Sequence, residues 1–557
     1  MAIWQDRLTT RLMAVFALCM LTPVHAQVAA DVGRDVRNPA VRDLQQIRRD
    51  VERWQQEREV ERMQEIRREH EEARERTPEQ EKASAFRFQL NAVEHGKSAI
   101  LSDEEIDKAV APWIGREVSM SDIEAMLEAI NRLYREKGYV VCEARIKPQR
   151  IKNGRLAITL VEGKTGKLTV TGNEHTRESY IRGAFDLEPG EIANYREMSE
   201  DLVRFNMTND VVLRIDIRAG SSPETTDYEI TAAEPPNWTA TVFADTLGTR
   251  STGRPRVGAS VTNRSVLGFR DAFTVLGLVS EGSKSFMASY AVPLNSLGTK
   301  LTASASFGDV EVVQGPSADD DVKGTSEYYS IRLDHPLYVT SETKWTIYGE
   351  WSRQKSTTDF WDITINDTQI DSWTGGLEAI LLGERSVFYA TAALSHEKSV
   401  EETFGQEWKQ NIFTGNAFWR YRLTHSVTFT LSGAWQSVVS GDDLTTSQYF
   451  YLGHTSGVRG YENDVLSAEQ GAYVNAQLDW AFLEPKTSLF AFVDAGRISG
   501  TSTYEQQTLA SIGAGLTWPL WNGAGLTATV GVPLEKDIGD DTHVNTARFD
   551  ISLVATW

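Results

Sequence analysis

The chain predicts a mixed fold: two small α/β units followed by a closed antiparallel membrane barrel of roughly sixteen strands, with a helix at the N-terminal side. Three observations lead there. Residues 237–557 break into short segments of alternating polarity between Gly, Pro, Asn and Asp turns. Ahead of them a β-α-α-β-β order occurs twice. The chain also opens on a secretory signal and has no later apolar stretch long enough for a membrane-spanning helix, so a closed barrel is the remaining way across a bilayer.

Residues 1–26 carry that signal. Arg7 and Arg11 precede the apolar run Leu12 to Leu21, and Val24-His25-Ala26 sets small residues where a peptidase would cut before Gln27. Cys19 follows Leu18, a poor fit to a lipoprotein cleavage site, so Cys142 is the single cysteine expected after processing. That excludes an intramolecular disulfide and argues against a cysteine metal site. In the next segment, 27–84, residues 35–82 are dense in Arg and Glu, with Val41, Leu44, Ile47, Val51, Trp54, Met63 and Ile66 spaced by threes and fours. This is a long charged helix with a thin apolar stripe. It fits first a solvated single helix or weak coiled coil; the sharper alternative is a mobile helix that occupies the polar lumen of the barrel. Thr77-Pro78 ends it, and a polar linker runs to Ser84.

The first α/β unit spans 85–163. Phe86 to Val93 alternates as a strand, Ser102 with Glu105 forms a capping box for a short helix, and Ser121 with Glu124 caps a second helix that stops at Gly138. Strands Tyr139 to Ile146 and Leu156 to Val161 close the unit. The second unit, 164–234, repeats the order: strand Leu168 to Thr171, the turn Gly172-Asn173, helical stretches Arg177 to Ala184 and Tyr195 to Met207, then strands Val211 to Ile217 and Tyr228 to Ala232.

Pro235-Pro236 marks the start of the barrel. Trp238 to Asp245 and Ser426 to Ser432 are examples of its strands, with about eleven before Val458 and about five after it, an even total as such barrels require. Of the 15 Trp residues most fall here, among them Trp345, Trp351, Trp373, Trp419, Trp435 and Trp518, as aromatic girdles would place them. A mean hydropathy of -0.35 is compatible with strands that are polar on alternate positions. The net charge of -21 is the wrong sign for a nucleic-acid binder. The last strand puts Phe549, Ile551, Leu553, Ala555 and Trp557 on one face, an aromatic-ended pattern that serves as the barrel-assembly signal.

Within the barrel, the segment Leu489 to Gly496 sets Leu489, Ala491, Val493 and Ala495 on a face that suits lipid, and Phe490, Phe492, Asp494 and Gly496 on the other. An Asp in a confined interior needs a cation. Arg459, in the loop Val458-Arg459-Gly460-Tyr461, is the planar donor that meets a carboxylate with two parallel hydrogen bonds. Gly460 permits a tight loop tip, and Gly496 leaves room beside its strand.

The first unit's run Gly138-Tyr139-Val140, Gly154-Arg155-Leu156 and Val161-Glu162-Gly163, the Val458 to Tyr461 loop, and Phe492-Val493-Asp494-Ala495-Gly496 together resemble the TpsB transporters of two-partner secretion, within the superfamily of POTRA-plus-barrel proteins. The resemblance covers nearly the whole mature chain. It implies two POTRA domains in the periplasm, a barrel in the outer membrane of a Gram-negative bacterium, an N-terminal plug helix, and export of a large TpsA-type partner through the lumen. It also implies that Arg459 pairs with Asp494 to hold the long sixth outer loop inside, and that lipid, periplasmic chaperones and the barrel-assembly machinery are the other partners. Three features depart from the pattern: Trp557 stands in place of a terminal Phe, Tyr461 where many members carry Phe, and the charged helix is longer than the usual plug.

An unfolded substrate can pair with an exposed sheet edge of a POTRA unit by β-augmentation. The candidate contacts are Ile123, Leu127, Ile130 and Tyr134 on the second helix and Val211, Leu213 and Ile215 on the edge strand, all of which fit equally as the units' own cores. Catalysis is not expected. Gly96-Lys97-Ser98 and Gly163-Lys164-Thr165 resemble phosphate-loop endings, but Asn91 and Ile158 stand where the leading glycine belongs, and His70-Glu71 lacks a second His, so neither a cofactor nor a metal is expected. The other readings are a barrel-assembly factor of the same superfamily, which typically has more POTRA units, and a passive diffusion porin, which needs none.

Overall fold

A computed structural model describes residues 39–72, 87–315, 318–402, 405–455, 457–463, 465–483, 487–500, 506–538 and 544–557. The expected signal peptide with Cys19 and the linker after Thr77-Pro78 lie outside these residues. The chain forms two compact units, one of residues 66–235 and one of residues 236–557 together with those up to 65.

The charged segment folds as one helix, α1 (Pro39–Glu72). In the first α/β unit, the single strand expected over Phe86 to Val93 is instead two, β1 (Arg87–Leu90) and β2 (Ala92–His95), which belong to different sheets. Asn91 makes the break. Its backbone N–H donates to Gly154 O at 2.7 Å and its side-chain amide donates to Asn153 O at 3.0 Å, which turns the chain from one sheet to the other. Helix α2 (Asp103–Val110) starts on the expected Ser102/Glu105 capping box.

The next helix corrects the sequence reading. A strand β3 (Arg116–Ser119) pairs with β1, and α3 (Met120–Glu136) begins at once, capped by Ser119 and Asp122 rather than by Ser121 and Glu124. Both frames carry a Ser-x-x-acid pattern. The earlier one is used because Ser119 is already extended in β3, with its hydroxyl free to accept from Asp122 N–H at 3.2 Å while its own N–H reaches the Asp122 carboxylate at 2.9 Å. Gly138 ends α3 as expected. The strand expected from Tyr139 shortens to β4 (Glu143–Arg145), because Tyr139 N–H still bonds back to Tyr134 O at 2.9 Å and a turn follows. β4 pairs antiparallel with β5 (Arg155–Val161), whose other edge takes β2 in parallel.

The second unit keeps the expected order: β6 (Lys164–Thr171), α4 (Glu178–Arg182), α5 (Tyr195–Thr208), β7 (Val212–Ala219) and β8 (Thr225–Ala233). The sheet order is β6-β8-β7, so β7 lies at an edge. Each unit has its own core, built on Ile106, Met126, Ile130 and Tyr134 in the first and on Ile181, Phe205, Val211 and Ile230 in the second.

The barrel is closed, with sixteen antiparallel strands in sequence order. Eleven lie before the 442–469 connection and five after it, and the first strand, Trp238–Asp245, pairs with the last, Arg548–Thr556. Trp557 N–H donates to Ala240 O at 2.9 Å and Ala240 N–H to Trp557 O at 3.0 Å, so the final residue belongs to the closing seam. Alternation sorts the side chains: on Thr487–Ser499, Leu489 and Val493 are exposed while Phe490, Phe492 and Asp494 are buried. Among the tryptophans, Trp351 and Trp373 sit opposite each other on neighbouring strands, and Trp345, Trp419 and Trp518 lie near the short turns.

For residues 42–61 of the charged segment, the contacts favour the lumen over a solvated helix. Ile47 and Val51 of α1 pack on the inward-facing Phe243, Leu276 and Leu278, and Trp54 meets the Phe243 ring edge-on at 5.4 Å. Polar contacts tie further positions of the helix to the wall. Arg48 donates to the Tyr328 hydroxyl at 2.9 Å and lies over its ring, Gln46 donates to Leu247 O at 3.1 Å, and Glu59 pairs with Lys344. A helix with many charges and a narrow apolar stripe suits this lumen, because one strip of its wall is apolar and the rest offers charged partners.

Candidate functional site: the loop anchored in the lumen

The connection 442–469 folds back into the barrel. Its two limbs pair as a small hairpin, Phe450–Leu452 with Leu466–Ala468, and both limbs are buried. The hairpin's apolar side joins Val458, Tyr461, Ile498 and Leu509 in one cluster, so the loop brings its own core with it.

At the tip, Arg459 and Asp494 meet as the residue types require. Arg459 Nε donates to Asp494 Oδ2 at 2.8 Å and Nη2 to Oδ1 at 2.9 Å, the two-pronged geometry of a guanidinium on a carboxylate. The Arg459 backbone N–H adds a third bond to Oδ2 at 3.0 Å. Asp494 is fully buried, and these three donors satisfy its charge. The remaining prong of Arg459, Nη1, donates to Gln477 Oε1 at 2.6 Å, and the guanidinium stacks over the Phe492 ring at 3.6 Å from its centroid. Phe492 thus positions the cation from the same face of the strand that carries its partner.

The flanking residues shape the fit. Gly460 has φ +97, and a Cβ there would stand 2.9 Å from the backbone of Gly531. At Gly496 a Cβ would meet Leu452 Cδ1 at 2.5 Å and the Val458 side chain at 3.1 Å, so its missing side chain is the space the loop occupies. The Tyr461 hydroxyl donates within reach of Ala510 O at 2.9 Å and Glu535 O at 2.8 Å, and accepts from Glu535 N–H at 3.1 Å. These bonds need the phenol oxygen, which a Phe at this position would lack.

A second ionic cluster escaped the sequence reading. Arg548 donates to Tyr461 O and to Glu462, both at 3.0 Å, and pairs with Asp550 at 2.9 Å. Arg254 also pairs with Glu462. His454 accepts from Gly460 N–H on Nδ1 at 3.3 Å and turns Nε2 to Asp550 at 3.4 Å, the pattern of a ring whose proton sits on Nε2. The signal was present in the last strand, where Arg548 and Asp550 alternate with the lipid-facing Phe549 and Ile551. Two groups of α1 touch the loop as well: Gln45 donates to Ser447 O at 2.8 Å and Arg53 to Thr455 O at 3.5 Å.

The other predicted residues lie apart from this site. Ile123, Ile130, Tyr134, Val211 and Leu213 are buried in the cores of the α/β units, and Leu127 and Ile215 are half-buried against them. As side chains they face inward, because the helix and strand stripes that suggested them are the faces that make the cores. Phe549, Ile551, Leu553 and Trp557 are exposed on the outward face of the last strand. In the first unit, Glu162 accepts from Ala99 N–H at 3.0 Å, from the Tyr134 hydroxyl at 2.9 Å, and from Ser98. Burial works against its charge, and these donors outweigh it, holding the carboxyl below the usual range. Cys142 is a buried free thiol, pushed up to about 11 chiefly by burial, which leaves it unreactive.

Comparison with known proteins follows this geometry. The family model for the haemolysin secretion/activation proteins ShlB/FhaC/HecB matches residues 224–518, and the model for the ShlB-type POTRA domain matches residues 88–163. The outer membrane transporter CdiB of Dickeya dadantii is 24% identical over 464 residues, covering 78% of this chain and 79% of its own. The heme/hemopexin transporter protein HuxB of Haemophilus influenzae is 22% identical, with 84% and 86% covered. Among solved structures, CdiB from Escherichia coli superposes with a TM-score of 0.69 at 19% identity, covering 93% of this chain and 99% of that one. BamA from Haemophilus ducreyi, lacking its first three POTRA domains, reaches 0.53 at 13% identity, 84% and 100% covered, a likeness of fold alone. With more than half of its 557 residues matched by the family model, the chain belongs to the ShlB/FhaC/HecB family of haemolysin secretion/activation proteins and is an outer-membrane transporter of two-partner secretion with its POTRA domains in the periplasm.

Proposed function

We propose that the chain captures a large, unfolded secreted partner on the POTRA units and passes it through the barrel to the cell surface, with the 442–469 loop held in the lumen by Arg459 and Asp494 during export. The observation that carries this reading is the two-pronged ion pair on a fully buried Asp494, at the tip of a loop that brings its own apolar cluster into the lumen. A loop bound this firmly leaves the helix α1 as the element that yields to a passing chain.

Burial of Ile123, Ile130, Tyr134, Val211 and Leu213 moves the capture surface from side chains to backbone. The edge strand β7 supports it best: Arg214, Asp216, Ile217 and Arg218 are exposed along it, and its outer side is the end of the sheet. Pairing through the main chain suits a partner whose sequence varies along its length. We further propose that the chain hydrolyses nothing, so that folding of the partner outside the cell supplies the direction of transport, and that Phe549, Ile551, Leu553 and Trp557 engage chaperones and the assembly machinery on the way to the membrane.

The test is co-expression with a candidate large partner encoded beside it. Partner in the medium that depends on this protein supports the reading. Partner retained in the cell, with other outer-membrane barrels falling when this protein is depleted, would replace it with an assembly function.

A further inference from the structure

Six consecutive barrel strands between Val322 and Gly441 are longer than their neighbours, and their outward faces change character at one level. Toward the short turns the outward side chains are apolar or small: Leu333, Ile347, Leu377 and Leu394 are all exposed there. This band ends in a row of registered partners running across five strands, Ile331, Trp351, Trp373, His396 and Asn411, in which Trp373 is 65% exposed. Two residues further out, the registered row is Tyr329, Arg353, Asp371, Lys398 and Lys409. The two tryptophans of this row mark the edge of the hydrocarbon layer. The charged row therefore lies at the depth of the outer leaflet's headgroups.

Within that row the charges are not balanced strand against strand. Arg353 is satisfied by Asp371 at 2.7 Å and lies 5.8 Å from the Trp351 ring. Lys398 and Lys409, however, stand directly opposite each other, a like-charge pairing that destabilises a sheet. Both lean on one carboxylate, Glu407, at 2.8 and 3.1 Å, and both remain well exposed. The outward Lys284, near the outer end of another wall, instead faces Asp309 across its ladder. With Arg353 and Asp371 cancelling each other, two facing lysines that share the single carboxylate of Glu407 leave a local positive excess on a chain of net charge -21, a surface for an anion.

We propose that this face, built on Lys398 and Lys409 above Trp351 and Trp373, binds the phosphate-bearing headgroup of a lipid in the outer leaflet. Two ammonium groups supply point charges for phosphate oxygens, and the tryptophans below lie against sugar or acyl chain, while Arg353 stays engaged with both oxygens of Asp371. The lipid would neutralise the repulsion between Lys398 and Lys409 and so stiffen the tall outer wall.

The test uses the full-length purified protein in detergent, titrated by native mass spectrometry with a doubly phosphorylated glycolipid of the lipid A class and with the same glycolipid after phosphate removal. The intact protein is expected to bind the phosphorylated form at least fivefold more tightly. Lys398→Gln with Lys409→Gln should abolish that preference, and Lys284→Gln should keep it. Lys409→Gln alone, at a side chain exposed enough to spare assembly, should lower the preference in the same direction. An unchanged preference in heat-modifiable, assembled double variant would overturn the site. Displacement of the lipid by inorganic phosphate at equal concentration would overturn the assignment to a lipid headgroup, and retention of the lipid in its presence supports it.

Discussion

Asp494 carries a full charge at a position with no exposure, and Arg459 is the cation that makes this tolerable. Arg459→Ala leaves the carboxylate uncompensated, at a cost of about 3–5 kcal/mol if the site stays dry. The variant is expected to assemble its barrel, judged by heat-modifiability, while the loop becomes accessible to protease from outside. Arg459→Lys should recover only part, since an ammonium cannot fill two prongs and reach Gln477 as well. Gly531→Ala tests the close approach without touching charge: its Cβ would stand 2.7 Å from Gly460, so the same protease sensitivity is expected. In the first POTRA unit, Glu162 gives a pH prediction. Its folded-state value lies below the ordinary carboxylate value of about 4.3, so its stabilisation is complete above that pH and is lost as pH falls through the lower value. Amide protection across α3 should drop as pH falls below the ordinary carboxylate value, and Glu162→Gln should remove most of that dependence. At this scale the sequence was readable where one strand held the logic: period two placed Asp494 inside and Leu489 outside. His454, Arg548 and Asp550 were not grouped, because they meet only after the loop folds back beside the last strand.

Helix α1 is the element whose location the sequence left open. Its stripe of Val41, Leu44, Ile47 and Val51 is too narrow to define a partner, and the partner is a strip of inward apolar residues on the first barrel strands that alternation alone does not distinguish from lipid-facing ones. Deleting residues 39–64 should raise single-channel conductance severalfold in a planar bilayer; unchanged conductance would mean that the helix does not obstruct the path. Lys344→Glu, which sets a like charge against Glu59, should shift the helix toward exit and raise the frequency of open events without changing the conductance of the open state. The POTRA helices teach a related lesson. Two overlapping Ser-x-x-acid frames precede α3, and the strand β3, invisible as a four-residue segment, selected Ser119 over Ser121.

At the scale of the molecule, the strand count and the position of the long loop after the eleventh strand were legible because each strand repeats one simple pattern between turn residues. The edge strand proposed for capture was legible from sequence, but the side chains that drew notice on it make the core, so only its backbone edge and outward residues are left for a partner. In the proposed mechanism the periplasmic units offer a sheet edge, the barrel is closed, the helix leaves and the loop stays. Its central claim is that export depends on the loop being held by the Arg459 and Asp494 pair. The direct measurement is the amount of the co-expressed partner in the medium for the intact protein, Arg459→Ala and Arg459→Lys, at equal levels of assembled barrel. The account predicts export reduced at least tenfold for alanine and an intermediate level for lysine; full export by assembled Arg459→Ala would contradict it.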